Sequence, residues 1–450
     1  MPPKRLVVIG GGAGGMAAAA KAKRTNPELE VMVLEAGNHV SHAPCGLPFY
    51  IGGYFDDKSK LVHYSVEFLE KKRGLKIFLR TRAYRIDFSA KKVYAMRGDE
   101  ELEFEYDYLV LAMGAKPRRL GVEGEDLEGV YYIRHIDDGV QIKEHMKKAE
   151  NIVLIGAGAM NIEFAEAFLR QRKKVTMITH GPRVLSRLDP DMSELVEKAL
   201  LEKGVILRKQ ENVEAFEGDE KVKKVITDRD EYPADIVIVG IGVEPNTDTL
   251  KDSPLEFGYR NTVKVNNRMQ TNIENVYAVG DVAEMISIVT GKPAWYPLAQ
   301  IANKMGRVAG SNIGGIPMEM KGVAGTVFLK FFDTEIGITG LNTREAEDEG
   351  FNVESVRIEA LNKPGYYPGA TKITVKLIYD RETRKLLGGQ VVGGGMASRI
   401  NVIATALYAG LTIDDLFYVD LGYSPPFSPV WDPLVVASSV SMRRKQNRNQ

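Results

Sequence analysis

Cys45 is the one cysteine of the chain, and its neighbours are not those of a core thiol. It lies in Ser41-His42-Ala43-Pro44-Cys45-Gly46-Leu47-Pro48-Phe49. A free cysteine usually serves as a small buried hydrophobe, but this one is flanked by Pro44 and Gly46 instead of an apolar periodic segment. A thiolate of low pKa, next to a helix N-terminus, is expected in such a loop; it attacks sulfur and is regenerated by a two-electron donor. A C-x-x-x-x-C dithiol would need a second cysteine at Val40 or Tyr50. There is none, so the second redox atom must come from an outside thiol or persulfide.

Two glycine turns offer sites for the electron donor. Leu6–Ile9 leads into Gly10-Gly11-Gly12-Ala13-Gly14-Gly15, and Gly10, Gly12 and Gly15 fit G-x-G-x-x-G. The first glycine permits the tight turn, the second lets backbone approach a pyrophosphate at a helix N-terminus, and the third lets helix and strand pack closely. The strand Val31–Leu34 ends in Glu35, about 20 residues on, where a carboxylate accepts ribose hydroxyls. The second turn is Gly156-Ala157-Gly158-Ala159-Met160-Asn161, after Ile152–Ile155. Asn161 replaces its third glycine, and the added side chain is expected to hold the helix off the strand or to change its packing.

Each turn requires a strand before it and a helix after it. Lys4–Arg24 and Asn151–Leu169 both read as strand, turn and small-residue helix, followed by apolar strands at Val31–Leu34 and Val175–Ile178. A repeated βαβ unit predicts an α/β chain with two doubly wound, Rossmann-like domains. After Met320 the texture changes to alternation at Thr326–Phe332, Asn352–Ile358 and Lys372–Tyr379. Ala397–Ala409 is the only clear helix expected there, with a shorter one at Arg344–Glu349. This predicts a C-terminal α+β domain.

At 450 residues the chain is long enough for about three domains. Its 60 basic and 60 acidic side chains cancel, which argues against nucleic acid or an anionic membrane as partner. No apolar run reaches the ~18 residues of a membrane span, and the start shows no signal-peptide pattern. A single cysteine cannot form an internal disulfide, so a cytoplasmic location is expected. The last ten residues, SMRRKQNRNQ, are expected to fray.

Thr271-Asn272-Ile273-Glu274-Asn275-Val276-Tyr277-Ala278-Val279-Gly280-Asp281 resembles the second flavin motif of the pyridine nucleotide–disulfide oxidoreductases, and Leu109–Ala115 resembles their crossover segment. With Ser41 and Cys45-Gly46-Leu47-Pro48, the chain resembles their single-cysteine branch, which includes coenzyme A disulfide reductases, NAD(P)H:sulfur reductases, and NADH oxidases and peroxidases. The resemblance implies FAD on the first turn, NADH or NADPH on the second, and a homodimer or a dimer of such dimers. It divides the chain into 1–115 and 251–322 for FAD, 116–250 for NAD(P), and 323–450 for dimerisation.

The resemblance also implies roles for residues. Gly10, Gly12, Ala13, Gly15, Glu35, Ala112, Gly114, Gly280, Asp281 and Ala299 would hold FAD. Gly156, Gly158, Met160, Asn161, Glu163, Thr179 and Gly242 would hold the nicotinamide nucleotide. The strand end Thr179-His180-Gly181-Pro182-Arg183 carries no carboxylate to repel a 2′-phosphate, so use of both NADH and NADPH is expected. Lys21, Arg24, Lys72 and Arg73, with Ser41, Pro44 and Asn303, would bind coenzyme A. Tyr366 and Tyr423 would reach the partner subunit's cysteine and protonate the leaving thiolate, Tyr366 being chosen over Tyr367 by resemblance alone.

Departures narrow the choice. Ala13 stands where peroxidases and water-forming oxidases carry a histidine, Pro44 where coenzyme A disulfide reductases often carry asparagine, and Trp431 where a coenzyme A-binding lysine occurs. Ala159 replaces a common tyrosine that covers the flavin. The expected activity is reduction of coenzyme A disulfide, or of polysulfide, persulfide or sulfur. An oxygen-reducing NADH oxidase and a non-enzymatic flavin-binding sensor are the alternatives.

Overall fold

The computed structural model describes residues 2–448. Strands Arg5–Ile9 and Glu30–Leu34 lie parallel, with Arg5 opposite Glu30 and Ile9 opposite Leu34, and the helix Ala13–Thr25 connects them. Their apolar residues are almost wholly buried, as a parallel sheet covered on both faces requires. The sheet runs Val276–Ala278, Tyr108–Leu111, Arg5–Ile9, Glu30–Leu34, Lys76–Phe78. The chain leaves it after Leu111 and returns only at Val276, which pairs with Leu109.

Between exit and return stands a second parallel sheet: Ile206–Lys209, Lys174–Thr179, Asn151–Ile155, Ile236–Val239, Val130–Tyr131. The outgoing and returning chains are joined by an antiparallel pair, Ala115–Pro117 with Val243–Pro245. The C-terminal sheet is antiparallel, in the order Val327–Phe331, Thr334–Gly340, Leu386–Gly393, Lys372–Asp380, Val353–Leu361. The helix Met396–Ala409 packs on it through Met396, Ile400 and Ile403.

Two readings of the C-terminal part are corrected. Met396–Ala409 is not its only substantial helix, and residues 441–448 are not a frayed tail: Pro433–Arg448 is one helix. Its Leu434, Ala437, Ser438 and Ser441 are fully buried. Ser438 Oγ donates to the Ile413 carbonyl at 2.7 Å, and Ser441 Oγ accepts from Arg384 at 2.7 Å. Buried serines leave no hydrophobic period to read, because tertiary partners satisfy them. Residues 449 and 450 of the expected tail lie outside the described residues.

The domains share cores. Leu47, Tyr50 and Ile51, just after Cys45, pack in one cluster with Ile162 and Ala165 of the second nucleotide unit and with Leu329 and Phe331 of the C-terminal sheet. Lys376 of that sheet reaches Asp189 at 2.8 Å and Asp191 at 2.7 Å, while Asp189 also accepts from the Thr343 N–H and hydroxyl.

Candidate active site

The first glycine turn is shaped by close approach. Gly10 has φ +105°, and a Cβ there would overlap the Ala112 carbonyl oxygen. A Cβ at Gly15 would overlap the Gly10 carbonyl, whereas Gly12 faces clear space, where a pyrophosphate can meet backbone. Ala13 opens the helix. Glu35 is 8% exposed and accepts from the Gly11 N–H at 2.8 Å and the Gly37 N–H at 2.6 Å.

Asp281 sits in the short turn Gly280–Val282, just after the strand Val276–Ala278. Burial pushes its carboxyl up, and Arg134 opposes the shift from 3.3 Å. Gly114 makes room for that arginine: a Cβ there would stand 2.9 Å from Arg134 Nη2. Ala299 begins the helix Ala299–Ile313, whose Gly306 and Gly310 lie against Ala17, Ala18 and Ala22 of the first dinucleotide helix. A glycine cradle, a buried ribose-type carboxylate and a second buried acid fit FAD.

In the second turn a Cβ at Gly156 would stand 2.5 Å from the Gly240 carbonyl oxygen, while Gly158 is free of close neighbours. Asn161 is fully buried. Its Nδ2 donates to the Ile155 and Gly156 carbonyls, each at 2.8 Å. A Cβ at Gly240 would stand 2.6 Å from Asn161 Oδ1, so the glycine missing from the helix reappears on the facing chain. Met160 and Glu163 follow on the same helix. Gly242 has φ +106° and no close neighbour. Thr179 Oγ1 accepts from the Gly181 N–H at 3.3 Å, His180 is exposed, and Arg183 donates to the Ser186 carbonyl at 3.2 Å.

Between the two turns stands Cys45. The Ser41 N–H donates to the Gly11 carbonyl at 2.9 Å, the Ala43 N–H to Leu61 at 2.8 Å, and the Gly46 N–H to Ala43 at 3.0 Å. The first of these bonds pins the cysteine loop to the first glycine turn, and the second ties it to Leu61. Pro44–Gly46 then forms a single helical turn leading into Leu47–Ile51. Cys45 is exposed, and its electrostatic neighbours are Glu163, Arg134 and Asp281. Partial burial of the sulfur raises its pKa first, then the Glu163 carboxylate; a backbone hydrogen bond and Arg134 oppose them. The thiolate of low pKa expected from sequence is corrected: the protein's own groups push the thiol up. Burial, then Glu166, push Glu163 up to about 7.

Lys21 and Arg24 lie on the helix Ala13–Thr25, and Lys72 and Arg73 end the helix Val66–Arg73. Arg73 lies over the Phe68 ring at 5.6 Å. Asn303 Oδ1 accepts from Arg307 at 3.1 Å. Tyr366 and Tyr423 are 75% and 49% exposed, and their hydroxyls lie 3.5 Å apart. Tyr367 is half-buried with Lys363 over its ring at 5.2 Å. The Tyr366-Tyr367 pair occupies a turn between Val353–Leu361 and Lys372–Asp380.

Sequence reasoning missed Arg134, a lone cation in a loop without a motif. It also missed Glu166, which accepts from Tyr54 at 2.7 Å, Arg170 at 2.9 Å and the Phe332 N–H at 2.6 Å. Among the described residues no group could hold a metal ion and no helix is long and apolar enough to cross a membrane.

The family model described as pyridine nucleotide-disulphide oxidoreductase matches residues 4–306, and the dimerisation domain of that family matches residues 327–434. The chain is 46% identical over 440 residues to the NAD(P)H coenzyme A polysulfide/persulfide reductase of Pyrococcus horikoshii, covering 97% of this chain and 98% of the relative. It is 33% identical to a NADH oxidase of Methanocaldococcus jannaschii, covering 99% and 100%. Its fold is similar to that of an NAD-dependent persulfide reductase from A. fulgidus, with TM-score 0.95, 37% identity, and coverage of 98% of this chain and 84% of the other.

Proposed function

The chain belongs to the pyridine nucleotide–disulphide oxidoreductase family, and from that premise we propose that it is an FAD-dependent NAD(P)H reductase of coenzyme A disulfide and of polysulfide or persulfide sulfur. The observation that carries this reading is the position of Cys45. Its loop is bonded to the first glycine turn through Ser41 and Gly11, and its following helix shares a core with the second nucleotide unit.

Cys45, as thiolate, attacks one sulfur of the disulfide; a Cys45–coenzyme A mixed disulfide forms and one coenzyme A thiolate leaves. With polysulfide the products are a Cys45 persulfide and a shortened chain. Glu163, with a pKa of about 7, holds a proton beside the sulfur over part of the neutral range. Tyr366 and Tyr423, offered across the interface of a homodimer, protonate the departing thiolate. FAD, if held by Gly10, Gly12, Gly15, Glu35 and Asp281, would supply two electrons drawn from NAD(P)H to break the S–S bond on Cys45, so that the second coenzyme A thiolate, or sulfide from the persulfide, leaves and the Cys45 thiolate is restored. Lys21, Arg24, Lys72 and Arg73 meet the phosphates of coenzyme A. An enzyme that keeps one thiol reduced suits the cytoplasm.

The test is Cys45→Ser, assayed with coenzyme A disulfide, with polysulfide and with oxygen. FAD content and the rate of flavin bleaching by NADH stay within about twofold of wild type, while turnover of both sulfur substrates falls more than about a hundredfold. Wild-type turnover of both would refute the reading. Oxygen consumption as the main wild-type activity would place the chain with the NADH oxidases instead.

A further inference from the structure

Tyr366 and Tyr423 come from segments far apart in sequence, and both side chains are largely exposed. Within the chain little packing fixes either ring, yet their hydroxyls meet. The bases of the two segments converge on a buried side chain behind them. Arg399, on the helix Met396–Ala409, is only 3% exposed at its side chain. Its Nη2 lies 2.9 Å from an Asp432 carboxylate oxygen and donates to the Asn362 carbonyl at 3.1 Å. Its Nη1 donates to the Gly395 carbonyl at 3.0 Å.

Asn362 and Thr371 close the base of the turn that carries Tyr366: each backbone N–H reaches the other residue, at 2.9 Å in both directions. Asp432 ends the segment that carries Tyr423. It accepts from Ser428 Oγ and from the Leu434 N–H, both at 2.9 Å. Ser428 in turn donates its N–H to Ser424, the neighbour of Tyr423, at 3.0 Å. We infer that Arg399 is a positioning residue whose guanidinium clamps the bases of both tyrosine-bearing segments and so sets the Tyr366–Tyr423 pair. An arginine suits the task because its planar fork bonds several oxygens in fixed directions and keeps its charge when buried. The inference rests on the reading of the tyrosines as proton donors.

The test uses the FAD-loaded full chain and coenzyme A disulfide. Arg399→Lys and Arg399→Met are each made alone and in a Tyr366→Phe/Tyr423→Phe background. With the tyrosines present, kcat falls about tenfold for Arg399→Met and less for Arg399→Lys, KM stays within about twofold, and flavin reduction by NADH is unchanged. In the phenylalanine background Arg399→Met costs less than about twofold more, because no hydroxyl remains to position. An equal loss in both backgrounds overturns the inference and leaves the tyrosine reading standing. Wild-type turnover by the phenylalanine pair overturns that reading and the inference with it. Arg399→Met strands a buried Asp432 charge; should it not accumulate, Arg399→Met/Asp432→Asn carries the same comparison.

Discussion

At the scale of single residues the site is governed by which charges share the space around one sulfur. Burial, and then Glu166, push the Glu163 carboxyl up to about 7. Its folded-state pKa lies above the ordinary carboxylate value of 4.5, so the folded chain holds a proton that the unfolded chain releases. That favours the fold at low pH, and the advantage is lost as pH rises from about 4.5 to about 7. Glu163→Gln should therefore raise the melting temperature at pH 8 by about 2 °C or more and leave it nearly unchanged at pH 4. Equal shifts at the two pH values would mean that Glu163 is not raised. The nucleotide's ribose end gives a second residue-scale expectation. With Thr179 instead of a carboxylate, kcat/KM for NADPH should lie within about tenfold of that for NADH, a difference under about 1.4 kcal/mol. Arg183→Ala should lower the NADPH value alone. A preference for NADH above about a hundredfold would remove His180 and Arg183 from the account.

At the scale of elements, the second dinucleotide helix replaces a rule with a local equivalent. A third glycine normally brings helix and strand together. Here the Asn161 amide bonds the carbonyls of Ile155 and Gly156, and Gly240 leaves the room it needs. Asn161→Ala removes both bonds, which are worth about 0.5–1.5 kcal/mol each. It should raise KM for NADH about threefold to tenfold and leave FAD content and flavin-independent properties of the first turn intact. Titration of the holoenzyme with NADH measures this, and an unchanged KM would reduce Asn161 to a packing residue. Asn161→Leu should not accumulate, since its branched side chain would press on Gly240.

At the scale of the molecule, Glu166 and Asp189 tie distant parts of the chain together. Glu166 receives Tyr54 from the segment after the cysteine helix, Arg170 from its own helix, and Phe332 from the turn between the first two strands of the C-terminal sheet. Asp189 and Lys376 join the second sheet's domain to the third. Breaking one partner of a buried pair costs about 3–5 kcal/mol, so Lys376→Met should lower the midpoint of denaturation and loosen that junction. Differential hydrogen exchange should show its effect near Asp189 and Thr343 while residues 5–34 stay protected. The exposed Tyr418, Phe427, Val430 and Trp431 lie in the part matched by the dimerisation domain. Sedimentation should give twice the chain mass, and Phe427→Asp with Val430→Asp should shift it toward the monomer with loss of sulfur turnover but not of FAD.

The sequence by itself determined the two nucleotide units, because glycine spacing and strand-length apolar runs are local constraints that few other folds satisfy. Gly10, Gly12, Gly15 and Glu35 stand together in the structure as that spacing requires, and Cys45 stood out in the sequence as a lone thiol between proline and glycine. The Asn161 departure was visible, but its compensation at Gly240 was not, since the two are far apart along the chain. Arg134, Glu166 and Arg399 carried no motif; the two arginines meet oxygens, and Glu166 meets donors, that only folding brings within reach. The helix Pro433–Arg448 was hidden because its buried face is partly serine. The direction in which the chain's own groups move the Cys45 pKa was decided by tertiary structure as well. Sequence proximity pointed to a helix start that lowers a thiol's pKa, whereas burial and the Glu163 carboxylate, delivered by another domain, raise it.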